Sequence, residues 1–246
     1  MTTIGVGLIG TGFMGKSHAL AWRNVKAVMG AELGEAPAPR LAVLCDTPFG
    51  QASARAAQFG FDRATEDWRD LVADPAVQVV SVTTPNHLHH DIAVAALRAG
   101  KHVWCEKPMA LTLAEAEGMA AAARDSGRVT LLGYNYLRNP AYAHAQRLLA
   151  EGAIGRPVQF RGWAEEDYQA DPDLPWTWRA RIDRAGLGAL GDIGCHLVSL
   201  ALGLMGPVES LVGDMQTIHA TRPLPDGSGH GIVENEDAAS ALVRFA

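Results

Sequence analysis

The sequence has few cysteines and no long uninterrupted apolar run. The three cysteines, Cys45, Cys105 and Cys195, are far apart, and no two form a Cys-x-x-Cys pair. This spacing argues against a disulfide framework or a zinc site and favours reduced, buried thiols in a cytoplasmic protein. No run reaches the ~18 residues of a membrane span, and the N-terminus has no basic stretch followed by a cleavage site. We therefore expect no membrane partner and no secretory signal.

Basic residues are fewer than acidic residues. Lys and Arg together number 21 against 27 Asp and Glu, which gives a formal net charge of −6. A general nucleic-acid binder needs a basic face, so this balance argues against nucleic acid as a partner. Hydrophobic residues make up 48% of the 246 residues and charged residues 20%. That composition supports a packed core and excludes disorder as the main state.

The first half of the chain alternates short apolar runs with helical patterns. Such alternation predicts βαβ units and a parallel sheet. The predicted strands cover residues 4–9, 41–45, 77–82, 102–105 and 129–132, and the predicted helices cover 16–29, 51–58, 68–73, 91–99 and 113–125.

The pattern changes after Gly133, and we place a domain boundary between Gly133 and Pro140, with domains at 1–135 and 136–246. The second domain is predicted as α/β with antiparallel strands. Its predicted elements are helices at 141–150 and 190–205, strands at 157–163, 208–219 and 238–245, an ordered loop at 165–181 and a polar loop at 221–236.

A glycine-rich turn follows the first predicted strand and opens the first helix. It reads Gly10, Thr11, Gly12, Phe13, Met14, Gly15. Gly10 permits a tight turn, Gly12 allows close approach of a pyrophosphate, and Gly15 allows the helix to pack on the strand. The helix N-terminus adds unpaired N–H groups. The context favours dinucleotide binding over a plain glycine turn or a methyltransferase loop.

Asp46 follows the second predicted strand, where a carboxylate accepts hydrogen bonds from the adenosine ribose. A carboxylate there also repels a 2′-phosphate, so we expect NAD as the cofactor rather than NADP. The alternative is that Asp46 only caps the next helix.

With these motifs the sequence resembles the glucose–fructose oxidoreductase/inositol dehydrogenase (Gfo/Idh/MocA) family. The resemblance rests on five segments in order: 10–15, 84–89 (Thr-Pro-Asn-His-Leu-His), 100–108 (ending Glu-Lys-Pro), 133–136 (Gly-Tyr-Asn-Tyr) and 191–196 (Gly-Asp-Ile-Gly-Cys-His). It implies an N-terminal Rossmann parallel sheet and a C-terminal α/β domain with an open, mainly antiparallel sheet. The family usually continues beyond residue 246. We therefore expect that sheet to be incomplete here, the chain to be truncated, and association of full-length copies through the sheet.

The resemblance also maps the family's catalytic residues onto Lys107, Asp192 and His196. Oxidation of a secondary alcohol needs a base and a group that stabilises alkoxide-like charge. His196 suits the base, because its ordinary pKa lies near neutrality. Asp192, four residues earlier, is expected on the same helix face, where it can orient the imidazole, stabilise its charged form or bond a substrate hydroxyl. The Lys107 ammonium is expected to hold the reacting oxygen. Each of the three has a structural alternative. Lys107 could be a solvated loop lysine, Asp192 the N-cap of a helix, and His196 a histidine packed in the core.

Other residues are expected to line the same cleft. The cofactor-binding set is completed by Thr84, Pro85, Asn86, His89, Glu106 and Lys107, and the candidate substrate residues are Asn135, Tyr136 and Arg138. His87, His89 and His90 are close in sequence, but no second ligand cluster matches them, so we expect no metal. The aromatic and acidic residues of 165–179 suit a polyol, or else their tryptophans pack the loop onto the second domain.

The sequence therefore predicts a cytoplasmic NAD-dependent oxidoreductase acting on a hydroxyl carbon of a sugar or an inositol-like polyol. Two alternatives stay open: an NAD-dependent glycosidase that uses transient oxidation, and a non-catalytic dinucleotide-binding sensor.

Overall fold

The computed structural model describes residues 2–246, which divide into two units. Unit 1 ends at Gly133, and unit 2 runs from Tyr134 to Ala246. Unit 1 is a parallel sheet of strand order β3-β2-β1-β4-β5-β6 with helical connections. Its strands are β1 (Thr3–Ile9), β2 (Ala38–Cys45), β3 (Arg63–Thr65), β4 (Val79–Val82), β5 (His102–Cys105) and β6 (Thr130–Leu132); its helices are α1 (Phe13–Met29), α2 (Phe49–Phe59), α3 (Trp68–Ala73), α4 (His89–Arg98) and α5 (Leu113–Ser126).

The predicted parallel sheet of unit 1 is confirmed, with one strand added. β3 was not predicted, since three residues carry too little periodicity to distinguish a strand from a turn. Residues 30–40, between the first predicted helix and the second predicted strand, contain a single-turn 3-10 helix and the first residues of β2. Chain order reverses between the two neighbours of β1, so the ligand crevice of such a sheet lies at the carboxyl ends of β1 and β4.

Apolar side chains cover both faces of this sheet. Val43 and Val80 are fully buried in one cluster, against helices α4 and α5. Leu8 and Leu44 are fully buried in the other, against α1 and α2. Helices on both faces explain why these strands are continuous apolar runs rather than alternating ones. The two clusters give the carboxyl ends of the strands a rigid base.

Unit 2 contains helices and two small antiparallel sheets. Its elements are α6 (Pro140–Ala150), α7 (Ile182–Ala185), a π-helical turn (Leu190–Gly194) continuing into α8 (Cys195–Met205), and strands β7 (Val208–Gln216), β8 (Thr221–Pro223), β9 (His230–Ile232) and β10 (Ala238–Phe245). β10 pairs with β7 and β8 with β9, each antiparallel. Apolar side chains of the β7–β10 ribbon are exposed, Leu211 at 62% and Leu242 at 82%.

Two predictions for unit 2 are wrong. Residues 157–163 form no strand, because β7 to β10 pair among themselves and, within the described chain, leave this segment no ladder partner. Its apolar side chains Val158 and Trp163 are exposed at 93% and 78%, so neither is packed into a core. The loop predicted at 221–236 contains the β8–β9 hairpin, closed by Gly227 and Gly229 at positive φ.

The segment Ile182–Met205 is long and apolar enough to cross a membrane, by length and composition alone. It is not one regular helix here, since α7 ends at Gly186 with φ +74°. A core helix of a soluble protein passes the same test, so the segment is weak evidence for a membrane span.

Candidate functional site

The chain segments that follow the strands of unit 1 are held in register by continuation of the sheet's hydrogen bonds. The Thr83 N–H donates to the Ile9 carbonyl at 2.9 Å, and the Glu106 N–H donates to the Val82 carbonyl at 2.9 Å. The predicted cofactor residues after β1, β4 and β5 therefore start from fixed backbone positions at one edge of the sheet.

The three glycines of the turn are required for different reasons. Gly10 has φ +93°, a region that favours glycine. A Cβ on Gly15 would lie 2.2 Å from the Gly10 carbonyl oxygen, so Gly15 is needed for close packing of α1. A Cβ on Gly12 would meet no protein atom within 4 Å. Protein packing therefore leaves room at Gly12, where a pyrophosphate needs close backbone approach.

The N-terminus of α1 is prepared for an anion. Helix α1 begins at Phe13, its N-cap Gly12 supplies no side-chain cap, and its first turn carries no acidic residue. The unpaired N–H groups and the positive end of the helix dipole are thus available to a phosphate. Phe13 itself is exposed, Met14 is half-buried and Thr11 is buried. These residues fit a dinucleotide.

Asp46 contacts both the glycine turn and the side chain of Gln51 in α2, but it does not cap that helix. Its Oδ2 accepts hydrogen bonds from the Thr11 N–H at 2.9 Å, from the Thr11 hydroxyl and from the Gln51 amide at 3.1 Å. Helix α2 has Pro48 as its N-cap, so the capping alternative for Asp46 does not hold. Asp46 thus joins the ends of β1 and β2 at the position expected to meet a ribose.

The segment after β4 carries another polar group suited to a ligand. Thr84 Oγ1 is buried and has no hydrogen-bond partner within residues 2–246. Pro85 is the N-cap of a 3-10 turn that begins at the buried Asn86. A buried hydroxyl without a protein partner calls for an explanation, and a bound cofactor group would supply its partner.

Glu106 is buried and contacts His18, a residue that was not predicted from the sequence. His18 Nε2 lies 2.9 Å from Glu106 Oε1, and both side chains are almost inaccessible. Trp104 stacks on the His18 ring at a centroid distance of 3.7 Å. His18 belongs to α1, three residues after Gly15, so this pair links the nucleotide-binding helix to the Glu-Lys-Pro segment.

The Lys107–Pro108 peptide bond is cis, and Lys107 is half-buried. The Lys107 N–H donates to Glu106 Oε2 at 3.3 Å. The Pro108 carbonyl lies 2.8 Å from Nδ1 of His89, whose Nε2 is 3.0 Å from the Thr84 carbonyl. His89 therefore lies next to the segment that carries Lys107, and its ring contacts backbone carbonyls of that segment and of the segment after β4.

In unit 2, Asp192 lies in the π-helical turn and has two polar partners outside it. The Tyr168 hydroxyl donates to Asp192 Oδ2, and Arg179 Nε donates to the same oxygen at 3.5 Å. Arg179 also stacks over the Trp178 ring at 4.6 Å. Burial and the Asp192 carboxylate raise the pKa of Tyr168, so its hydroxyl stays protonated and donates. π turns are frequent at functional sites.

His196 is buried at the start of α8, and two tyrosine rings lie against it. Tyr134 meets it edge-on at 5.9 Å and Tyr136 lies tilted at 4.5 Å between ring centroids. Tyr136 belongs to a 3-10 turn formed by Asn135–Arg138, which also holds the other two candidate substrate residues. Burial, chiefly, raises the pKa of Tyr134 to about 12.

The loop that carries Tyr168 is anchored by a buried arginine. Arg222 in β8 is 5% exposed and donates to the backbone carbonyls of Gln169 at 2.6 Å and Asp171 at 2.8 Å. Trp176 packs on Gly231 and donates to the Ile232 carbonyl at 2.9 Å. The packing alternative for the tryptophans thus holds for Trp176. Arg222 was not predicted, because its partners are distant in sequence. Tyr168 belongs to the 165–179 stretch considered for a polyol, but its contact with Asp192 was not predicted.

Within residues 2–246, no group of three or more His, Cys, Asp or Glu side chains is arranged to hold a metal ion. The histidines after β4 diverge: His89 contacts backbone carbonyls, whereas His90 pairs with Asp91 at 2.9 Å.

The open glycine turn on a parallel sheet defines unit 1 as a dinucleotide-binding Rossmann domain. The profile described as "Oxidoreductase family, NAD-binding Rossmann fold" matches residues 4–134, and that of the GFO/IDH/MocA C-terminal domain matches residues 142–246. The chain belongs to the GFO/IDH/MocA oxidoreductase family.

The chain is similar to several dehydrogenases. Levoglucosan dehydrogenase of Pseudarthrobacter phenanthrenivorans is 40% identical over 259 aligned residues, covering 100% of this chain and 65% of that protein. An inositol 2-dehydrogenase of Salmonella typhimurium is 32% identical, covering 65% of this chain and 45% of that one. The structure of levoglucosan dehydrogenase with NADH and levoglucosan has a TM-score of 0.93 at 40% identity, covering 100% and 64%. The chain thus spans less than two thirds of the length of levoglucosan dehydrogenase.

Proposed function

We propose that this protein is an NAD-dependent oxidoreductase that transfers a hydride between the nicotinamide and a hydroxyl carbon of a sugar or an inositol-like polyol. The observation that carries the proposal is the turn at Gly12, where protein packing leaves space beside an uncapped helix N-terminus. That arrangement suits a dinucleotide pyrophosphate. The likeness to dehydrogenases of levoglucosan and inositol supports a substrate with several hydroxyl groups.

The cofactor is held, in this proposal, by the residues at the carboxyl ends of the strands. The backbone of 10–15 binds the pyrophosphate, Asp46 binds the adenosine ribose, and the 84–86 segment lies at the nicotinamide end. Asp46 disfavours a 2′-phosphate, so NAD is preferred over NADP. An arginine near Asp46 could instead favour a 2′-phosphate. Arg55, the arginine of α2, donates to the Gln58 side chain at 2.6 Å. A bound nicotinamide supplies the hydride acceptor.

Lys107, Asp192 and His196 are proposed as the catalytic residues. The imidazole of His196 accepts the hydroxyl proton, and the Lys107 ammonium holds the oxygen and stabilises its developing charge. Asp192 orients the imidazole or a substrate hydroxyl, and it is itself held by Tyr168 and Arg179. Tyr134 is a poor base at neutral pH, since its pKa is raised to about 12.

The test is a panel of levoglucosan, inositol, free sugars and a glycoside, incubated with NAD and followed by NADH absorbance and by release of free sugar. Net NADH formation with at least one member supports the proposal. Release of sugar from a glycoside without net NADH would replace it by a glycosidase. Binding of NADH without turnover of any member would replace it by a dinucleotide sensor.

A cytoplasmic location and association of full-length copies through the C-terminal sheet stay predictions. The exposed apolar residues of the β7–β10 ribbon support the second of these.

A further inference from the structure

Lys107 lies on a segment that is fixed on both sides to the end of one strand. Before it, the Glu106 N–H donates to the carbonyl of Val82, the last residue of β4. After it, the Pro108 carbonyl contacts His89, which contacts the carbonyl of Thr84, two residues beyond β4. The backbone on each side of Lys107 is thus connected to the carboxyl end of β4.

His89, which makes the second of these connections, is fully buried. Its exposed fraction is 0%, and each ring nitrogen lies within 3.0 Å of a backbone carbonyl oxygen. Carbonyl oxygens only accept, so a neutral imidazole donates to one of them at a time and an imidazolium donates to both. With its surface covered and a carbonyl oxygen beside each ring nitrogen, His89 has no group left to offer a cofactor.

Glu106 adds a link on the other side of Lys107. One of its carboxylate oxygens accepts the Lys107 N–H at 3.3 Å, and the other contacts His18 at 2.9 Å. His18 lies on the helix that begins at the glycine turn. The lysine backbone is therefore held between two buried histidines, on α1 and α4.

We propose that His89 is a positioning residue for Lys107: it ties the Pro108 carbonyl to the end of β4 and so fixes where the lysine side chain starts. This inference rests on the proposed function, in which Lys107 holds the reacting oxygen. It assigns His89 a role in the hydride-transfer step in place of the cofactor contact expected from the sequence.

The test compares His89→Gln and His89→Ala with the control His90→Gln in the full chain. His90 lies one residue away and pairs with Asp91 near the surface, so it offers the same substitution without the carbonyl contacts. Three quantities are measured on variants shown to fold by circular dichroism: NADH affinity, kcat and KM for the accepted substrate, and the acylation rate of the Lys107 amine by mass spectrometry, with exposed Lys16 as the internal reference.

We expect both His89 variants to keep NADH affinity and KM while kcat falls by about a hundredfold, the effect of a misplacement of about 1 Å. The Lys107 acylation rate should change several-fold, whereas His90→Gln should match the wild type. An unchanged kcat or an unchanged Lys107 acylation rate in a folded His89 variant overturns the proposal. A loss confined to NADH affinity also overturns it and restores the cofactor contact. Failure of both variants to fold overturns it too, since His89 is then a residue of the core.

The acylation measurement separates this inference from the proposed function. If the wild type oxidises no member of the panel, the proposed function fails, and the acylation rate of Lys107 still decides whether His89 positions the lysine.

Discussion

The hydroxyl of Tyr168 donates a hydrogen bond to the carboxylate of Asp192, across 24 residues of sequence. The same Asp192 oxygen receives Arg179 Nε at 3.5 Å. Asp192 is thus oriented by groups outside its own helix, on a loop that Arg222 anchors through two backbone carbonyls. A loop with no periodic pattern therefore supplies part of the candidate catalytic environment.

Replacing Tyr168 by Phe should lower kcat for the accepted polyol by about tenfold, because a hydrogen bond to a charged group is worth about 1.5–3 kcal/mol. Steady-state kinetics with saturating NAD checks this. The matched control is Tyr142→Phe, which removes a hydroxyl bonded to the Leu200 carbonyl at 3.2 Å in the same unit. Equal falls in kcat for both variants would show that Tyr168 matters only for folding.

The glycine turn gives a contrast between two alanine substitutions. Gly12→Ala should fold normally, since its Cβ meets nothing within 4 Å, but should bind NADH weakly. Gly15→Ala should destabilise unit 1 by about 1–3 kcal/mol, typical of overpacking, because its Cβ would lie 2.2 Å from a backbone oxygen.

Thermal unfolding with and without NADH measures both effects, since a ligand of the native state raises the melting temperature. If NADH raises the melting temperature of Gly12→Ala as much as that of the wild type, the pyrophosphate does not bind at this turn.

Cysteine reactivity should separate the three thiols. Burial, chiefly, raises the pKa of Cys45 to about 12 and raises the pKa of Cys105 further above its ordinary range. Both thiols stay protonated and covered at pH 8, whereas Cys195 is half-buried. The thiolate is the reactive form, so alkylation in the native state should modify Cys195 first. Peptide mass spectrometry after brief iodoacetamide treatment checks the order; early labelling of Cys45 or Cys105 would contradict the packing of unit 1.

Asp46 should set the choice of dinucleotide. Asp46→Ala removes the acceptor expected to hold the ribose and the charge expected to repel a 2′-phosphate, so the ratio of NADPH to NADH affinity should rise. Fluorescence titration with both nucleotides measures the ratio. Gln51→Ala is a useful control, because Gln51 donates to the same oxygen at 3.1 Å and carries no charge. A ratio unaffected by Asp46→Ala would place the ribose elsewhere.

The sequence predicts unit 1 better than unit 2, for a physical reason. Strands β1 and β5 are short apolar runs next to helices with clear periodicity, so local patterns determine them. The segment 157–163 has the alternating pattern of a half-buried strand, yet forms no strand, because pairing depends on a neighbouring strand that the local pattern does not supply. The β8–β9 hairpin was missed for the related reason that three-residue strands have almost no period.

The candidate site divides in the same manner. Gly10, Gly12 and Gly15 were recognisable because each answers a local backbone need. His18 and Arg222 were not, since their contacts lie 88 and about 50 residues away. Tyr168 lay in a stretch considered for a polyol, but its contact with Asp192, 24 residues away, was not predicted. A histidine one helical turn past a glycine motif is the one signal that could have indicated His18. The π turn around Asp192 interrupts a stretch whose apolar pattern predicts one regular helix over 190–205.

We propose that Lys107 and His196 both serve the hydride-transfer step of one reaction. The most direct measurement is the rate of NADH formation in Lys107→Ala, His196→Ala and the double variant, each saturated with NAD and the accepted polyol, with NADH affinity measured in parallel. The account predicts a loss of turnover of at least about a hundredfold in each, unchanged NADH affinity, and little further loss in the double variant, because the two groups serve one step. Turnover at the wild-type rate in either single variant, or losses that simply multiply, would contradict it.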